Sequence, residues 1–310
     1  MLPKLTDDQI KSVFTNVGLG TPNTIKKLSV GFSNDVYSVD DKYIFKAIRN
    51  EEDTSYLKKE IHLCNLFKER LPAPVVVHSD TAKAALDRAY VIYEKIQGDN
   101  LYMRWHEYST EERKAIVEQI CSYLKVINTE PFKDFTDAFN IDTKTSWHER
   151  IATKIQEHKL KALSVNAISS EQAERVDEYV RTSLVALDES VMALTYFDVH
   201  FDNFIVRDKK IVGMLDFERT DFYSIDFVLD IVRRMVNEPT KYASEEAEPL
   251  IKAEDYASLM EQYKEYYPQL FDFENLEARL KLYSIDHDLD QLHTWPESAS
   301  LKESLARNTQ

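Results

Sequence analysis

The sequence predicts an α+β fold of two lobes: a small N-terminal lobe with an antiparallel sheet and one main helix, and a larger, mainly helical C-terminal lobe. Two observations lead to this prediction. Short apolar runs separated by turn residues dominate the N-terminal part, and amphipathic helical patterns dominate the rest. A chain of 310 residues can bury a substantial core within one such unit. We therefore expect lobes at residues 1–94 and 101–310, joined by a hinge at residues 95–100.

The N-terminal lobe is predicted to contain a leading helix and three antiparallel strands. Thr6 and Gln9 have the spacing of a capping box, which predicts the start of a short helix. Apolar runs bounded by turn residues predict strands at residues 27–30, 36–39 and 43–48. The turn at residues 31–35 offers backbone N–H groups that can cover the phosphates of a nucleotide.

Lys46 lies inside the third predicted strand, where an unpaired ammonium group is costly to desolvate. A partner is available in Glu60, on a helix predicted at residues 54–70 from its single apolar face. A strand lysine held by a helix glutamate, and in contact with the α- and β-phosphates, is one half of a kinase site. The alternative is a lysine at a sheet edge whose ammonium group reaches solvent.

The remainder of the sequence predicts a series of amphipathic helices. The helix predicted at residues 109–128 places Ile116, Ile120 and Ile127 on one face. Further helices are predicted at residues 147–160, 170–187, 224–237, 256–267 and 274–289. Ser169 and Gln172 provide the start signal for the helix at 170–187.

The segment from Tyr196 to Glu218 carries the most specific pattern in the sequence. Asp198 is followed five residues later by Asn203, a spacing that occurs once in the chain, and Asp216 follows a predicted hairpin. Phosphoryl transfer depends on positioning and on neutralising phosphate charge through Mg²⁺. Asp198 is predicted to accept the proton of an acceptor hydroxyl, whereas Asn203 and Asp216 are predicted to bind the metal.

The hairpin supports this interpretation. Residues 204–206 and 211–215 are apolar and strand-like, and the polar residues between them are typical of a turn. Spacing alone also fits a structural interpretation, in which Asp198 caps a helix and Asp216 ends a strand. Because the lysine–glutamate pair precedes this motif in the order that kinases require, the sequence favours a protein kinase-like fold.

Six short motifs resemble one family. They are Gly31-Phe-Ser-Asn-Asp-Val-Tyr37, Tyr43-Ile-Phe-Lys46, Leu71-Pro-Ala-Pro-Val-Val76, Tyr93-Glu-Lys-Ile-Gln-Gly98, Asp198-Val-His-Phe-Asp-Asn203 and Leu215-Asp-Phe-Glu218. In combination they resemble the aminoglycoside phosphotransferase and choline kinase-like family, and most of all its aminoglycoside 2″-phosphotransferase branch. The resemblance extends from about residue 27 to residue 235. Two departures are Tyr196 and Asn128, at positions where the family usually has histidine.

The resemblance implies a nucleoside triphosphate, ATP or GTP, bound with Mg²⁺ between the lobes. The residues implied in nucleotide binding are Gly31, Ser33 and Asn34 in the loop, Lys46 and Glu60 behind it, and Glu94 and Ile96 in the hinge. Asp198 is implied as the catalytic residue, and Asn203 and Asp216 as the metal ligands. Candidates for contact with the acceptor are Glu218, Asp221, Glu238 and Asp286. Asp226 resembles a structural aspartate that follows the metal-binding segment.

The composition restricts the ligands and the compartment. A formal charge of −15 at pH 7 argues against nucleic acid and favours attraction of a cationic acceptor, although acidity also serves solubility. Cys64 and Cys121 fall in apolar helical patterns, which indicates small core residues of a cytoplasmic protein. No apolar run approaches about 18 residues, so we expect neither a membrane-spanning helix nor a membrane partner.

Three classes of function follow from these observations. The first is a kinase that phosphorylates an alcohol group of an aminoglycoside-type acceptor, with a role in antibiotic resistance. The second keeps the fold and acts on choline, homoserine, methylthioribose or a macrolide. The third is a nucleotide-binding protein without turnover, suggested by Tyr196 and Asn128. The presence of all five catalytic groups favours the first two, and the oligomeric state stays open.

Overall fold

The computed structural model describes residues 4–30, 34–49 and 54–310, which form a mixed α+β fold, as predicted. Two compact units are each built from several segments: Met1–Gln119, His200–Thr220 and Tyr242–Asp255 in the first, and Ile120–Val199, Asp221–Lys241 and Tyr256–Gln310 in the second. The strands are β1 (Ile25–Val30), β2 (Asn34–Val39), β3 (Tyr43–Ile48), β4 (Val76–Asp80), β5 (Tyr90–Glu94), β6 (Asp99–Asn100), β7 (Met192–Thr195), β8 (Phe204–Arg207), β9 (Lys210–Met214) and β10 (Asp221–Ser224). The helices are α1 (Asp7–Asn16), α2 (Ser55–Phe67), α3 (Leu101–Trp105), α4 (Thr110–Asn128), α5 (Lys133–Phe139), α6 (Trp147–Ser164), α7 (Ser170–Ser183), α8 (Val228–Asn237), α9 (Leu259–Tyr266), α10 (Leu276–Thr294) and α11 (Ala299–Asn308).

An antiparallel sheet in the first unit has the strand order β1-β2-β3-β5-β4. The three predicted N-terminal strands are confirmed, and β3 lies in the middle of the sheet. Val36 of β2 and Val91 of β5 lie opposite Lys46, one on each side. Lys46 is therefore not an edge residue, and its ammonium group has to be satisfied within the protein.

Strand β2 begins earlier than predicted, at Asn34. Asn34 and Asp35, expected in the turn, belong to β2 and pair with β3. The carboxylate of Asp35 is almost completely buried, and its Oδ1 accepts hydrogen bonds from Lys27 Nζ at 2.7 Å and from Arg49 Nη2 at 2.8 Å. Because these two cations satisfy the buried charge, the β-ladder continues through residues whose polarity is typical of a turn.

Helix α1 packs against the same sheet. Its start is the predicted capping box: Gln9 N–H donates to Thr6 Oγ1 at 3.3 Å, and Thr6 N–H donates to Gln9 Oε1 at 2.9 Å. Phe14 of α1 contacts Phe45 of β3, and Phe45 stacks on Tyr90 of β5 with ring centroids 5.2 Å apart. This apolar layer fixes β3, and with it the backbone of Lys46.

The predicted hairpin of the first unit is formed by β8 and β9, and β6 pairs with the outer side of β8. Two glycines allow the chain to approach this hairpin closely. A Cβ atom on Gly98 would lie 2.6 Å from the carbonyl oxygen of Val206, and one on Gly213 would lie 2.9 Å from Cδ1 of Ile96. A side chain at Gly98 would therefore push the chain away from the hairpin, and one at Gly213 would require the Ile96 side chain to move.

The second unit is mainly helical, with α10 packed against α6 and α11. An aromatic cluster joins these helices to the segment that precedes α8. Trp147 Nε1 donates to the Tyr283 hydroxyl at 2.9 Å, and the rings of Trp147 and Phe227 lie 5.3 Å apart. The buried rings supply much of the apolar area of this core.

Most predicted helices are confirmed with different ends. The helices predicted at 147–160 and 274–289 are longer, and the one predicted at 256–267 is shorter. The helix predicted to begin at Ser224 begins at Val228, because Asp221–Ser224 pairs with Met192–Thr195 to form β10 and β7. Leu184–Leu187 forms a 3₁₀ turn after α7. Helices α3, α5 and α11 were not predicted.

Asp226 and Arg279 form an ion pair in which both side chains are fully buried. Arg279 donates from Nε to Asp226 Oδ2 at 2.7 Å and from Nη2 to Oδ1 at 2.8 Å. The Tyr283 hydroxyl adds a third bond to Asp226 at 2.9 Å. Since a buried charge is stable only when it is paired and hydrogen-bonded, this aspartate fixes the segment after β10 to α10, in keeping with its predicted structural role.

The described helices include none that is long and apolar enough to cross a bilayer. Cys64 and Cys121 are buried and free. Burial raises the pKa of Cys64 well above its usual value, so this residue is a thiol in the core.

Candidate active site

Lys46 is the centre of a charged cluster in the first unit. Its side chain is 8% exposed, and Nζ donates to Glu60 Oε2 at 2.7 Å, to Asp216 Oδ1 at 2.8 Å and to Glu218 Oε2 at 2.9 Å. Burial by itself lowers the pKa of Lys46, but the carboxylates of Asp216, Glu60 and Glu218 hold this pKa well above its usual value. The lysine is therefore charged, and all three of its N–H donors are used.

Glu60 lies on the buried face of α2, which also carries Leu57 and Cys64. Burial raises the pKa of the Glu60 carboxyl, and the ammonium group of Lys46 acts in the opposite direction. The two predicted partners are thus in direct contact. This pair holds the lysine at a fixed place beside β3.

The hairpin positions Asn203 and Asp216 at its open end. Phe204 pairs with Met214, and the N–H of Leu215 donates to the carbonyl oxygen of Asn203 at 2.8 Å. The Asn203 side chain is buried. Asp216 has φ +59°, a left-handed conformation that costs an ordinary residue roughly 1–2 kcal/mol and that is often found at functional sites. Desolvation raises the pKa of Asp216, but Lys46 outweighs it and holds this pKa below its usual value.

Glu218 follows Asp216 in a 3₁₀ turn. The turn is anchored by Phe217, whose ring stacks on Phe67 of α2 at 6.2 Å. Glu218 Oε2 accepts one hydrogen bond from Lys46 and another from Asn34 Nδ2 at 3.2 Å. Glu218 was predicted to face the acceptor. It lies beside Lys46 and beside Asn34, at the end of the predicted nucleotide loop.

Three carboxylates of this cluster are close enough together to share a cation. Glu60, Asp216 and Glu218 each have one oxygen within 4.8 Å of the others, the candidate metal group among the residues that the structure describes. Mg²⁺ prefers hard oxygen ligands such as carboxylates and amide carbonyls. Asp216 and Glu218 offer carboxylate oxygens of the kind that fits Mg²⁺, and each also accepts a hydrogen bond from Lys46, as Glu60 does. The role of Asn203 as a further ligand stays a prediction.

The other predicted nucleotide-binding residues lie in the first unit as well. Glu94 is exposed at the end of β5, and its N–H donates to the carbonyl oxygen of Val75 at 2.9 Å. Ile96 packs against Gly213 of the hairpin. Gly31 and Ser33 lie outside the described residues.

Asp198 lies in the second unit, three residues after β7, and is half-buried. The β7 strand is held by Asn128, whose Nδ2 donates to the carbonyl oxygen of Leu194 at 2.8 Å. The Tyr267 hydroxyl in turn donates to Asn128 Oδ1 at 3.0 Å. Asn128, one of the two departures from the family pattern, therefore supports the strand that leads to Asp198. Tyr196, the other departure, is buried.

The remaining acceptor-facing candidates lie in the second unit. Asp221 Oδ1 accepts the N–H of the next residue at 2.7 Å. Asp286 is buried, and its Oδ1 lies 2.8 Å from His158 Nδ1. Glu238 Oε2 lies 3.7 Å from Lys241 Nζ and lines a cavity of about 240 Å³. These contacts leave the acceptor role of all four candidates a prediction.

A strand lysine paired with a helix glutamate, followed by an asparagine and an aspartate joined through a hairpin, is the arrangement expected of a phosphotransferase with the kinase-like fold. The model of the phosphotransferase enzyme family, APH, matches residues 24–266, and the chain belongs to this family. The predicted family and the predicted enzyme class, a phosphotransferase, are thereby confirmed.

Solved structures with this fold cover nearly the whole chain. The GDP and kanamycin complex of APH(2″)-IIIa is 14% identical and covers 98% of this chain and 98% of that chain, with a TM-score of 0.73. ADP-bound aminoglycoside phosphotransferase APH(2″)-Ib is 16% identical and covers 99% of this chain and 97% of that chain, with a TM-score of 0.69. A thermostable mutant of APH(4)-Ia with ADP and hygromycin B is 14% identical and covers 96% of each chain, with a TM-score of 0.68. A search of curated proteins gives no match. The structural likeness confirms the kinase-like fold.

Sequence reasoning missed two contacts of this site. One is the bond between Glu218 and Lys46, which depends on the left-handed backbone of Asp216. The other joins Asn203 Nδ2 to His200 Nε2 at 3.3 Å. The sequence did offer one sign of the second contact, since His200 precedes Asn203 by three residues.

Proposed function

We propose that this protein transfers the γ-phosphoryl group of a nucleoside triphosphate, ATP or GTP, to a hydroxyl group of an aminoglycoside-type acceptor. The observation that carries the proposal is the contact of Lys46 with both Glu60 and Asp216, at 2.7 and 2.8 Å. It joins the two halves of the predicted kinase site, which are 170 residues apart in sequence.

Lys46 is assigned to the inner phosphates of the nucleotide. Its charge is fixed by the surrounding carboxylates, and its position is fixed by Glu60. A preorganised cation of this kind stabilises phosphate charge without rearranging during the reaction. Asn34, at the end of the nucleotide loop, is a second donor for the phosphates.

Asn203 and Asp216 are assigned to Mg²⁺, with the Glu218 carboxylate as a further oxygen donor. Mg²⁺ offsets the negative charge of the β- and γ-phosphate oxygens when it is bound. Asp216 is suited to this role because Lys46 lowers the pKa of the Asp216 carboxyl, which is therefore ionised at neutral pH.

Asp198 is assigned to the acceptor. Its carboxylate would accept the hydrogen bond of the acceptor hydroxyl and take the proton as the oxygen attacks the γ-phosphorus. Because the transition state of phosphoryl transfer is loose, alignment of the hydroxyl contributes as much as basicity. The bonds of Asn128 to β7 support this alignment by fixing the strand just before Asp198.

Two observations support an amino-sugar acceptor. The formal charge of −15 favours attraction of a polycation. Proteins of the same fold have been solved in complex with kanamycin and with hygromycin B. Asp221, Glu238 and Asp286 stay our candidates for contact with its ammonium groups, and Glu218 stays a candidate for this contact as an alternative to its assignment to the metal.

We also propose the lobe boundaries 1–94 and 101–310 with a hinge at 95–100. A cytoplasmic location is supported by the two buried, free cysteines, which need no oxidising compartment.

The proposal is tested by nucleotide turnover with Mg²⁺, using ATP and GTP against kanamycin, gentamicin, choline and homoserine. The Asp198→Ala variant serves as the blank. Turnover stimulated by kanamycin or gentamicin, and lost in the variant, is the expected result. Stimulation by choline or homoserine alone would replace the acceptor class. Nucleotide binding without stimulated turnover by any of the four would contradict the proposed activity.

A further inference from the structure

His200 and Asn203 are in contact within the short segment that precedes β8. Asn203 Nδ2 lies 3.3 Å from His200 Nε2, and the Asn203 side chain is 5% exposed. The backbone of Asn203 is fixed by its bond to Leu215 and by the start of β8. Burial restricts the movement of this side chain, and rotation about its terminal bond exchanges the amide nitrogen and oxygen.

The ring of His200 is itself held in place. It lies almost parallel to the ring of Tyr242, with an interplanar angle of 10° and centroids 5.2 Å apart. Stacking of this kind restricts the plane of the imidazole ring. Both aromatic residues and Asn203 belong to the first unit.

The orientation of the amide group decides which atom donates in this contact and which accepts. The structure places the amide nitrogen of Asn203 toward His200 Nε2; an amide nitrogen can only donate, so in this orientation Nε2 accepts and the imidazole proton is on the buried Nδ1. Rotation of the amide group by 180° would reverse these roles and put the proton on Nε2. With Nδ2 directed at the histidine, the Asn203 oxygen is left on the other side of the amide group. That oxygen is the only atom of this side chain able to bind a hard cation.

We propose that His200 is a positioning residue that selects the amide orientation of Asn203 and so presents its oxygen to the metal. The inference deepens the proposed function and rests on it, because Mg²⁺ binding by Asn203 is part of that proposal. Partners that orient a metal ligand in this way typically contribute 10–100-fold to metal affinity.

The test uses three substitutions and a readout of metal binding that does not depend on turnover. His200→Gln keeps a hydrogen-bond acceptor at about the position of Nε2, His200→Asn places its polar atoms near Nδ1 instead, and His200→Leu has none. Mn²⁺ binding to the protein with ADP is measured from the free Mn²⁺ signal in electron paramagnetic resonance. Thermal melting is recorded for each variant.

We expect His200→Leu and His200→Asn to weaken Mn²⁺ binding by at least about tenfold, and His200→Gln to recover it to within about threefold of the wild type. In an Asn203→Asp background the same His200→Leu change should alter Mn²⁺ affinity by less than about threefold, because both side-chain termini are then oxygen. Unchanged affinity in His200→Leu, equal loss in all three variants, or an undiminished effect in the Asn203→Asp background would overturn the proposal.

The outcomes separate this inference from the proposed function. If the Mn²⁺ pattern is found but none of the tested acceptors is phosphorylated, the acceptor chemistry fails and the role of His200 stands. If acceptors are phosphorylated and the pattern is missing, the role of His200 fails alone. A wild-type protein that binds no Mn²⁺ in the presence of ADP would overturn the inference directly.

Discussion

Glu218 Oε2 lies 2.9 Å from Lys46 Nζ, and the same oxygen accepts a hydrogen bond from Asn34. Lys46 and Asn34 are the two side chains that we assign to the nucleotide phosphates. The Glu218 carboxylate therefore satisfies donors that a phosphate group would also use. Nucleotide without metal would have to compete with this carboxylate for both donors.

Glu218→Gln is expected to tighten the binding of metal-free ADP. The substitution removes a unit charge a few ångströms from Lys46, an interaction large enough for an effect on the order of tenfold. Isothermal titration calorimetry in the presence of a chelator measures the dissociation constant of metal-free ADP. Glu248→Gln, at a surface turn, is the matched control and should leave it unchanged. A change confined to the KM of the acceptor would instead support the acceptor-facing role of Glu218.

Asp198→Asn is expected to lower kcat by at least about 100-fold, the scale of a positioned acid–base group. Binding of the nucleotide should change little, because the assigned phosphate ligands are untouched. Asp208→Asn, in the turn between β8 and β9, is a matched control with an exposed aspartate at φ +51°. Steady-state kinetics with the stimulating acceptor measures both. Near-normal turnover in a folded Asp198→Asn protein would remove this residue from its assigned role.

Asn128→Ala is expected to destabilise the fold by roughly 1–3 kcal/mol, because it leaves the Leu194 carbonyl and the Tyr267 hydroxyl without their partner. We also expect kcat to fall, since the strand held by Asn128 leads directly to Asp198. Thr129→Ala, one residue further along, keeps both bonds and serves as the control. Urea unfolding and kinetics of both variants check the prediction, and equal stability of the two would contradict it.

His158 predicts a pH dependence of stability. Burial lowers the pKa of His158, but Asp286 and Asp290 outweigh it and raise this pKa above 6.5. A raised pKa in the folded state means that the stabilising contribution is full below pH 6.5 and is lost as pH rises through the higher folded value. His158→Gln should therefore cost more stability at pH 6 than at pH 8.5.

Urea unfolding of His158→Gln at the two pH values measures this difference. His293→Gln, an exposed histidine near the end of α10, the helix that carries Asp286, is the control. A cost that is the same at both pH values would show that the contact of His158 with Asp286 is not charged.

The N-terminal strands were predictable because each is a short apolar run between turn residues, and their partners follow at once in sequence. The pairing of β10 with β7 was not, because its two strands are separated by the whole catalytic segment and hairpin. Asp221-Phe-Tyr-Ser224 has no apolar alternation of its own, so its local pattern fits the start of a helix equally well. Non-local pairing decides the structure there.

In the candidate site too, some contacts were predictable from sequence and others were not. Lys46 and Glu60 were predictable as partners, since a charge inside an apolar strand requires one and the next helix offers a carboxylate. The approach of Glu218 to Lys46 was not predictable, because it follows from a left-handed φ at Asp216 that no residue type demands. The contact of His200 with Asn203 is local in sequence, but Tyr242, which stacks on His200, lies far along the chain.

The division of the first unit into three chain segments has a consequence for protein synthesis. Lys46 and Glu60 leave the ribosome early, but Asp216 follows Lys46 by 170 residues. At about 5–20 residues per second, roughly 10–30 s pass before this carboxylate is available. During that interval the nascent sheet holds a lysine whose charge is only partly compensated. Slow codons placed after residue 220 would lengthen the wait for Tyr242–Asp255, the last segment of the unit.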